Sequence, residues 1–221
     1  ANRAGSGDTI TIESGSVSWK TGVIIPPNKH LAIQGAGIDE TTITTQGAYA
    51  FDIKSGNKRI TGLTFIIAAG MDAVRIDGDG WRVDHIKAMS SSTASTNGVQ
   101  ARGLRKNVPN GPTGLIDHVD FTDARVLVVG YPDPPDKSGF LWTSPLSLGK
   151  VDAVYVEDST IRRTIGAANL IDCNYGGRYV IRFTSTSGTS VDAHSAQHGL
   201  RSCRQWEVYR NTIEFDRPFF T

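Results

Sequence analysis

The amino-acid sequence predicts an all-β solenoid, and three observations predict it. One pattern is written three times near the C-terminus, in AVYVEDSTIRR, RYVIRFTSTSG and QWEVYRNTIEF, which places Val156, Ile181 and Val208 at equivalent positions 25 and 27 residues apart. Upstream, Ile33, Ile60, Val83 and Ile116 extend the series in LAIQGAG, RITGLTF, RVDHIKA and LIDHVDF at intervals of 27, 23 and 33 residues. Self-similarity at such a period marks stacked structural units. Second, a further column of strands, AFDIKSG, AVRIDGDG, GVQARGL, NLIDCNY and SVDAHSA, runs beside the first. Third, both columns alternate apolar with polar residues in short runs rich in Val and Ile, punctuated by Gly, Asn and Asp, and helical periodicity is nearly absent. A unit of roughly 25 residues with two or three short strands cannot bury its apolar face alone, so it must stack on its neighbours. A β-sandwich is the competing architecture, but its strands would not repeat one motif at every second or third strand.

Asp8 to Trp19 supplies the first strands, and Pro26-Pro27-Asn28 turns the chain into HLAIQGAG. Gly35 and Gly37 imitate a phosphate loop, yet that motif needs a following helix within a βαβ unit, and IDETTIT continues as strand. Coils follow through Phe51, Ile60, Val74 and Val83, joined by the short turns SGNK and GDGW. The regular pattern breaks at the polar run 90–98, at Gly103–Gly114 and at Gly130–Gly149. The last of these holds four of the chain's nine prolines, with Tyr131, Phe140 and Trp142, so it can be ordered at modest entropic cost and suits sugar stacking. On a solenoid such inserts usually carry function. The expected organisation is one domain over residues 1–221 with inserted loops near 103–114 and 130–149; both ends fall inside the pattern, so the chain reads as an excerpt of a longer solenoid.

Charge is balanced, 23 basic against 22 acidic residues, which argues against nucleic acid or an anionic membrane as the main partner. No apolar run is long enough to span a bilayer. Cys173 and Cys203 fall in neighbouring coils; stacked coils lie about 4.8 Å apart, close to what a disulfide needs, and the residues leave a disulfide and two buried thiols both open.

GDTITIESGSVSW, followed by LAIQGAGIDETTIT and by the rungs ending in VEDSTI and YRNTI, resembles the right-handed parallel β-helix proteins of the pectate-lyase-like superfamily over nearly all of the chain. The resemblance implies a single-stranded right-handed parallel β-helix (β-solenoid) of about seven to nine coils. The stretch NYGGRYVIRF to QWEVYRNTIE is similar to a bacterial or phage branch of these proteins with no assigned activity. Because lyases, hydrolases, epimerases, tailspikes and adhesins share the scaffold, two functions are expected. One is a carbohydrate-active protein outside the cell that binds an acidic polysaccharide and cleaves it by lyase-type β-elimination. The other is a non-catalytic structural or adhesive β-helix, a tailspike shaft, surface fibre or adhesin module, with self-association through exposed solenoid ends.

Candidate site residues concentrate in the C-terminal coils: Asp172, Asn174, Tyr175 and Arg178, then Asp192, His194, His198, Arg201 and Arg204. The resemblance implies a base that abstracts the proton beside a uronate carboxyl, with Ca2+ or cationic side chains neutralising that carboxyl. His194 or Tyr175 fits the base, and Arg178, Arg102 or Arg201 fits a bidentate grip on the acid group. Asp192 and His198 join them as substrate contacts, with Trp142 and Tyr131 from the long insert. No cofactor is demanded by these residues. The Arg-x-x-Pro-x-x-Arg phrase of pectate lyases and the Asp-Asp and Gly-His-Gly phrases of polygalacturonases are absent, so neither mechanism transfers residue by residue. Two polar rows complete the inventory. Asp52, Arg75, Gln100 and Asp192, with Lys54, Asp77, Arg102 and His194, should point outward in stacked order. Asp84-His85 should lie over Asp117-His118, most simply as a ladder of like residues.

Overall fold

Short β-branched segments broken by Gly, Asn and Asp form strands rather than helices, because branched side chains pack well on a pleated surface and the breakers accept tight corners. A computed structural model describes residues 3–54, 56–103, 111–130, 145–193 and 203–215. The chain winds coil by coil. Thr9–Ile12 (β1), Gly15–Trp19 (β2) and Val23–Ile25 (β3) make the first coil, and Ala32–Gly35 (β4), Thr41–Thr45 (β5) and Tyr49–Ile53 (β6) the second. Arg59–Ile67 (β7) and Asp72–Asp77 (β8) follow, then Asp79–Ser90 (β9) and Asn97–Arg102 (β10). The fifth coil is Thr113–Asp117 (β11), Asp120–Thr122 (β12) and Arg125–Val129 (β13), and the sixth Val154–Glu157 (β14), Thr160–Arg162 (β15) and Ile171–Asn174 (β16). Arg178–Arg182 (β17) and Ser185–Ser187 (β18) belong to the seventh, Gln205–Tyr209 (β19) and Thr212–Glu214 (β20) to the eighth.

Every strand pairs in parallel with its counterparts one coil away, giving three faces. The first face stacks β1, β4, the start of β7, the start of β9, β11, β14, β17 and β19. The second stacks β2, β5, the ends of β7 and β9, β12, β15, β18 and β20. The third stacks β3, β6, β8, β10, β13 and β16, with Val191 bridging to Ile171. The protein is a parallel β-helix.

The expected inward column forms one ladder: Ile33, Ile60, Val83, Ile116, Val156, Ile181 and Val208 are consecutive partners. All are buried except Val208, which is 40% exposed because it lies in the last described coil. The same open end exposes Trp206 and Phe215.

From the fifth coil on, each rung expected as one strand resolves into two, because the chain turns two residues after the inward one, whereas β7 and β9 run on through the same corner. Gly62, His85, His118, Asp158, Phe183 and Arg210 occupy this corner, all with φ between 46° and 70°. A non-glycine residue in that left-handed region costs about 1–2 kcal/mol, so the stacked ladders on either side hold it there. The GDGW turn expected between coils instead supplies the start of β9.

On the third face, Asp52, Arg75 and Gln100 stack as expected, and Asp77 pairs with Arg102. Leu127 and Asp172 then continue the row. β13 was not legible as a member of this column, because after Arg125 it is a continuous apolar run, VLVV, and Leu127 is buried even on the outward side. Gly35 ends β4, and the chain continues as strand in β5, as expected. A Cβ there would stand 2.1 Å from the Gly62 carbonyl oxygen, so its glycine serves a close backbone approach between coils, not a phosphate.

Of the two states left open for the cysteines, the structure shows the disulfide, Cys173 to Cys203, with Cα atoms 5.0 Å apart. Cys173 occupies the inward column of the third face, after Ile53, Ile76, Ala101 and Val128, and Cys203 leads into β19.

Candidate functional site

The chain leaves the described residues at Gly103, Gly130 and Ala193, each at the passage from the third face of one coil to the first face of the next. The inserts therefore start from one corner of the solenoid, beside the first face. The end of the longest insert is held across that face. Arg178 Nη1 donates to Ser147 Oγ at 2.7 Å and Nη2 to the Pro145 carbonyl at 2.7 Å. Gln205 Oε1 accepts from the Ser147 amide, and the Glu207 carboxylate from the Gly149 amide. Residues 145–150 thus form a strap pinned to β17 and β19 before the chain returns to β14.

Beside the strap, the first face carries an open groove of about 610 Å³, lined by Gly80, Trp81, Thr113, Gly114, Leu115, Val151, Ala153, Tyr155, Glu157 and Arg182, within the size range of ligand sites. Trp81 forms a buried floor, its Nε1 donating to the Gly78 carbonyl at 2.9 Å. It fits because its ladder partner is Gly114, where a Cβ would meet the indole at 2.3 Å. Tyr155 donates its hydroxyl to the Lys150 carbonyl at 2.8 Å, and the Arg182 guanidinium lies 5.0 Å over its ring. Burial pushes the Tyr155 phenol above its ordinary value, which makes it a poor base. Arg182 is held by Glu157 at 2.8 Å and by the Tyr209 hydroxyl at 3.1 Å. Asp79, at the edge of the groove, is raised by burial, with Asp152 adding to the rise.

Further along the same face, the residue after each inward position builds a charged ladder. Arg59 grips Asp84 with Nε at 2.7 Å and Nη2 at 2.6 Å, and Arg82 grips Asp117 at 2.9 and 2.6 Å. His85 Nδ1 lies 2.8 Å from Asp84 Oδ2 and His118 Nδ1 2.8 Å from Asp117 Oδ2, and the two imidazoles stack 4.8 Å apart. The expected Asp-His ladder is present. Burial alone would raise the Asp84 carboxyl, but hydrogen bonds from Arg59, His85 and Thr61 outweigh it and hold the group down at about 2. Asp117 is lowered in the same way by Arg82 and His118.

A pH dependence follows. The Asp84 side chain is 0% exposed, and its folded value lies below the roughly 3.9 of an unfolded chain. Its contribution, about 2–3 kcal/mol, is therefore present above about pH 5 and lost as pH falls toward 2. With a chelator present, the melting temperature of Asp84→Asn should fall less between about pH 5 and pH 2 than that of the wild type; parallel curves would show that this carboxylate does not govern acid stability.

The expected site residues are dispersed. Arg178, assigned to grip a substrate carboxyl, is only 2% exposed and spends two nitrogens on the strap. Arg102, assigned the same role, binds Asp77 at 2.7 Å and Asp52 at 3.0 Å, within a ladder that also takes in Lys54. Both arginines are paired within the solenoid and its strap. Tyr175 is half-buried at the corner after β16, with φ of 53°. Asp192 accepts from Asn169 at 2.8 Å, and its carbonyl accepts from the Tyr179 hydroxyl at 3.1 Å. It lines a cavity of about 350 Å³ at the open end with Trp206, Val208 and Phe215, away from the groove. His194, His198, Arg201, Trp142 and Tyr131 lie outside the described residues. Among the described residues, no group of three or more His, Cys, Asp or Glu is arranged to hold a metal, Ca2+ included. No described helix is long and apolar enough to cross a membrane.

The groove residues Leu115, Tyr155, Glu157 and Arg182 were not singled out from the sequence. The signal was available: each immediately precedes or follows an inward residue of the column, so each must point outward on the first face.

No protein-family model matches the sequence, and no curated protein matches it. Among solved structures, the chain is similar to the crystal structure of a pectin methylesterase mutant in complex with a hexasaccharide, at 10% sequence identity over 96% of this chain and 83% of that one, with a TM-score of 0.43.

Proposed function

We propose that the protein is an extracellular carbohydrate-active β-helix that lays a segment of acidic polysaccharide along its first face. The observation that carries the reading is the groove itself, an apolar and aromatic trough with a guanidinium at one side, walled by the strap. Tyr155 with the overlying Arg182 offers a surface for a sugar ring, and Arg182 faces the groove with the positive charge an acidic sugar needs. The disulfide supports a place outside the cell, since such bonds persist in oxidising compartments. Lyase-type β-elimination is the finer form of the proposal, with His194 or Tyr175 as its base. The second reading is a non-catalytic binding or adhesive module. It is favoured by the first-face ladder, where Arg59, Arg82 and Arg182 are already matched by Asp84, Asp117 and Glu157, an arrangement suited to a stable surface.

Titration with uronate polysaccharides, and absorbance at 235 nm with and without Ca2+, test both forms. Wild type should bind, and Tyr155→Ala should weaken binding by roughly tenfold, the equivalent of about 1.4 kcal/mol. Equal binding by Tyr155→Ala would remove the groove from the reading, and no binding by the wild type would remove the glycan. A 235 nm product that disappears in His194→Ala would establish the lyase form.

A further inference from the structure

Three guanidiniums of the first face already have carboxylate partners, Arg59 with Asp84, Arg82 with Asp117 and Arg182 with Glu157. Arg182 also donates Nη1 to the Tyr209 hydroxyl, so little of its fork is left for a ligand at the groove. Arg210 differs. It is exposed, and it occupies the corner row one coil beyond Phe183, whose amide donates to the Arg210 carbonyl at 3.0 Å. Its guanidinium lies 5.8 Å over the Phe183 ring, within the range of a cation–π contact. Among the described residues that guanidinium takes part in no hydrogen bond and no ion pair. Phe183 is 45% exposed, and the Arg182 guanidinium lies 5.7 Å over the same ring. Its backbone is left-handed, with φ of 53°, which costs about 1–2 kcal/mol in a residue other than glycine. A phenylalanine placed there adds nothing to the inward column; what it does is carry two cations, of which only one is neutralised.

We propose that Arg210, steadied by Phe183, is the subsite that grips the carboxylate of a uronate unit, an assignment that rests on the reading of the first face as a glycan surface. A guanidinium lying over an aromatic ring keeps its N–H edge turned outward, and that edge matches the two oxygens of a carboxylate. The stacking also limits the side chain before the ligand arrives, so less rotamer freedom is lost on binding. The subsite is continuous with the groove: Arg182 lines the groove and immediately precedes Phe183, and Tyr209, which bonds Arg182, immediately precedes Arg210. Along the axis Arg210 stands two coils beyond Tyr155, or about 9–10 Å. A glycan with one ring on Tyr155 therefore presents the carboxylate of a later unit to Arg210. Asp158 lies in the same corner row on the far side of Phe183, also about 9–10 Å from the Arg210 position, so the ring separates this carboxylate from the site.

Calorimetric titration with a polyuronate and with the same polymer after reduction of its carboxyl groups tests the subsite. Wild type should bind the polyuronate roughly tenfold more tightly than the reduced polymer, the order expected of a charge-assisted pair. Arg210→Asn should abolish that preference while leaving the affinity for the reduced polymer unchanged. Asparagine tolerates the left-handed backbone at this position, φ 56°, so the variant should melt no lower than wild type. Arg210→Lys should keep only part of the preference, because an ammonium cannot reproduce the planar fork. Phe183→Asn should weaken the preference and Phe183→Tyr restore it, as a positioning role for the ring requires. Tyr155→Ala, by contrast, should weaken binding of both polymers alike. A full preference in Arg210→Asn would overturn the subsite and leave the groove standing. Wild type that binds neither polymer would overturn the groove reading and the subsite with it, and wild type that binds both equally would overturn the subsite alone.

Discussion

Ile181→Asp should unfold the C-terminal half of the solenoid at neutral pH. Ile181 is 0% exposed and lies in the inward ladder between Val156 and Val208. The substitution removes an aliphatic side chain from a closed core, which costs about 2–5 kcal/mol, and places a carboxylate where no partner faces it, which adds several kcal/mol. Together they approach the roughly 5–15 kcal/mol of a whole domain. The sign with pH is fixed as well. A buried, unpaired acid has its folded pKa raised, so the damage should grow as pH rises above about 4 and ease below it. Ile181→Ala, which carries only the packing loss, should show no such dependence. A melting temperature for Ile181→Asp within about a degree of wild type would mean that the residue faces solvent.

Removing the disulfide should have the next largest effect. Cys173 and Cys203 are 30 residues apart, and a closed loop of that size restricts the unfolded chain by about 3–4 kcal/mol. The bond ties coil six to the entry of coil eight. Its loss should therefore release the last coils first, where Val208 and Trp206 are already partly open to solvent. Cys173→Ser/Cys203→Ser should melt several degrees below wild type and be indifferent to dithiothreitol, whereas the wild type should fall to the same temperature when reduced. A wild type unaffected by reduction would show that the bond contributes nothing to holding that end.

Much of the fold was legible in the sequence because a solenoid writes its geometry as recurrence. The column from Ile33 to Val208 could be aligned by eye, and its register became the register of the sheet. What escaped was the corner. A left-handed residue such as Phe183 or Arg210 has no compositional mark, so the two strands on either side of it read as one. β13 escaped for a different reason: a strand buried on both sides loses its alternation. The candidate site was less legible. Outward direction could be inferred from parity, but parity does not say whether an outward arginine meets solvent, an acidic neighbour or a piece of chain from elsewhere. Arg102 met the second and Arg178 the third. Those partners are set by neighbouring coils and by the strap, and local sequence carries no trace of either.

The strap also has a consequence for the order of events at the ribosome. Gly149 is anchored by Glu207, 58 residues later in the chain. At about 5–20 residues per second, translation leaves roughly 3–12 seconds in which residues 145–150 have been made and their anchor has not. Leu146 and Leu148, exposed even in the finished protein, pass that interval without the strands that anchor their segment. Early coils can stack as they emerge, each on the one before, but this segment must wait for β17 and β19. The first face is consequently not complete until β19 has been made, although its first strand, β1, is the first of the chain.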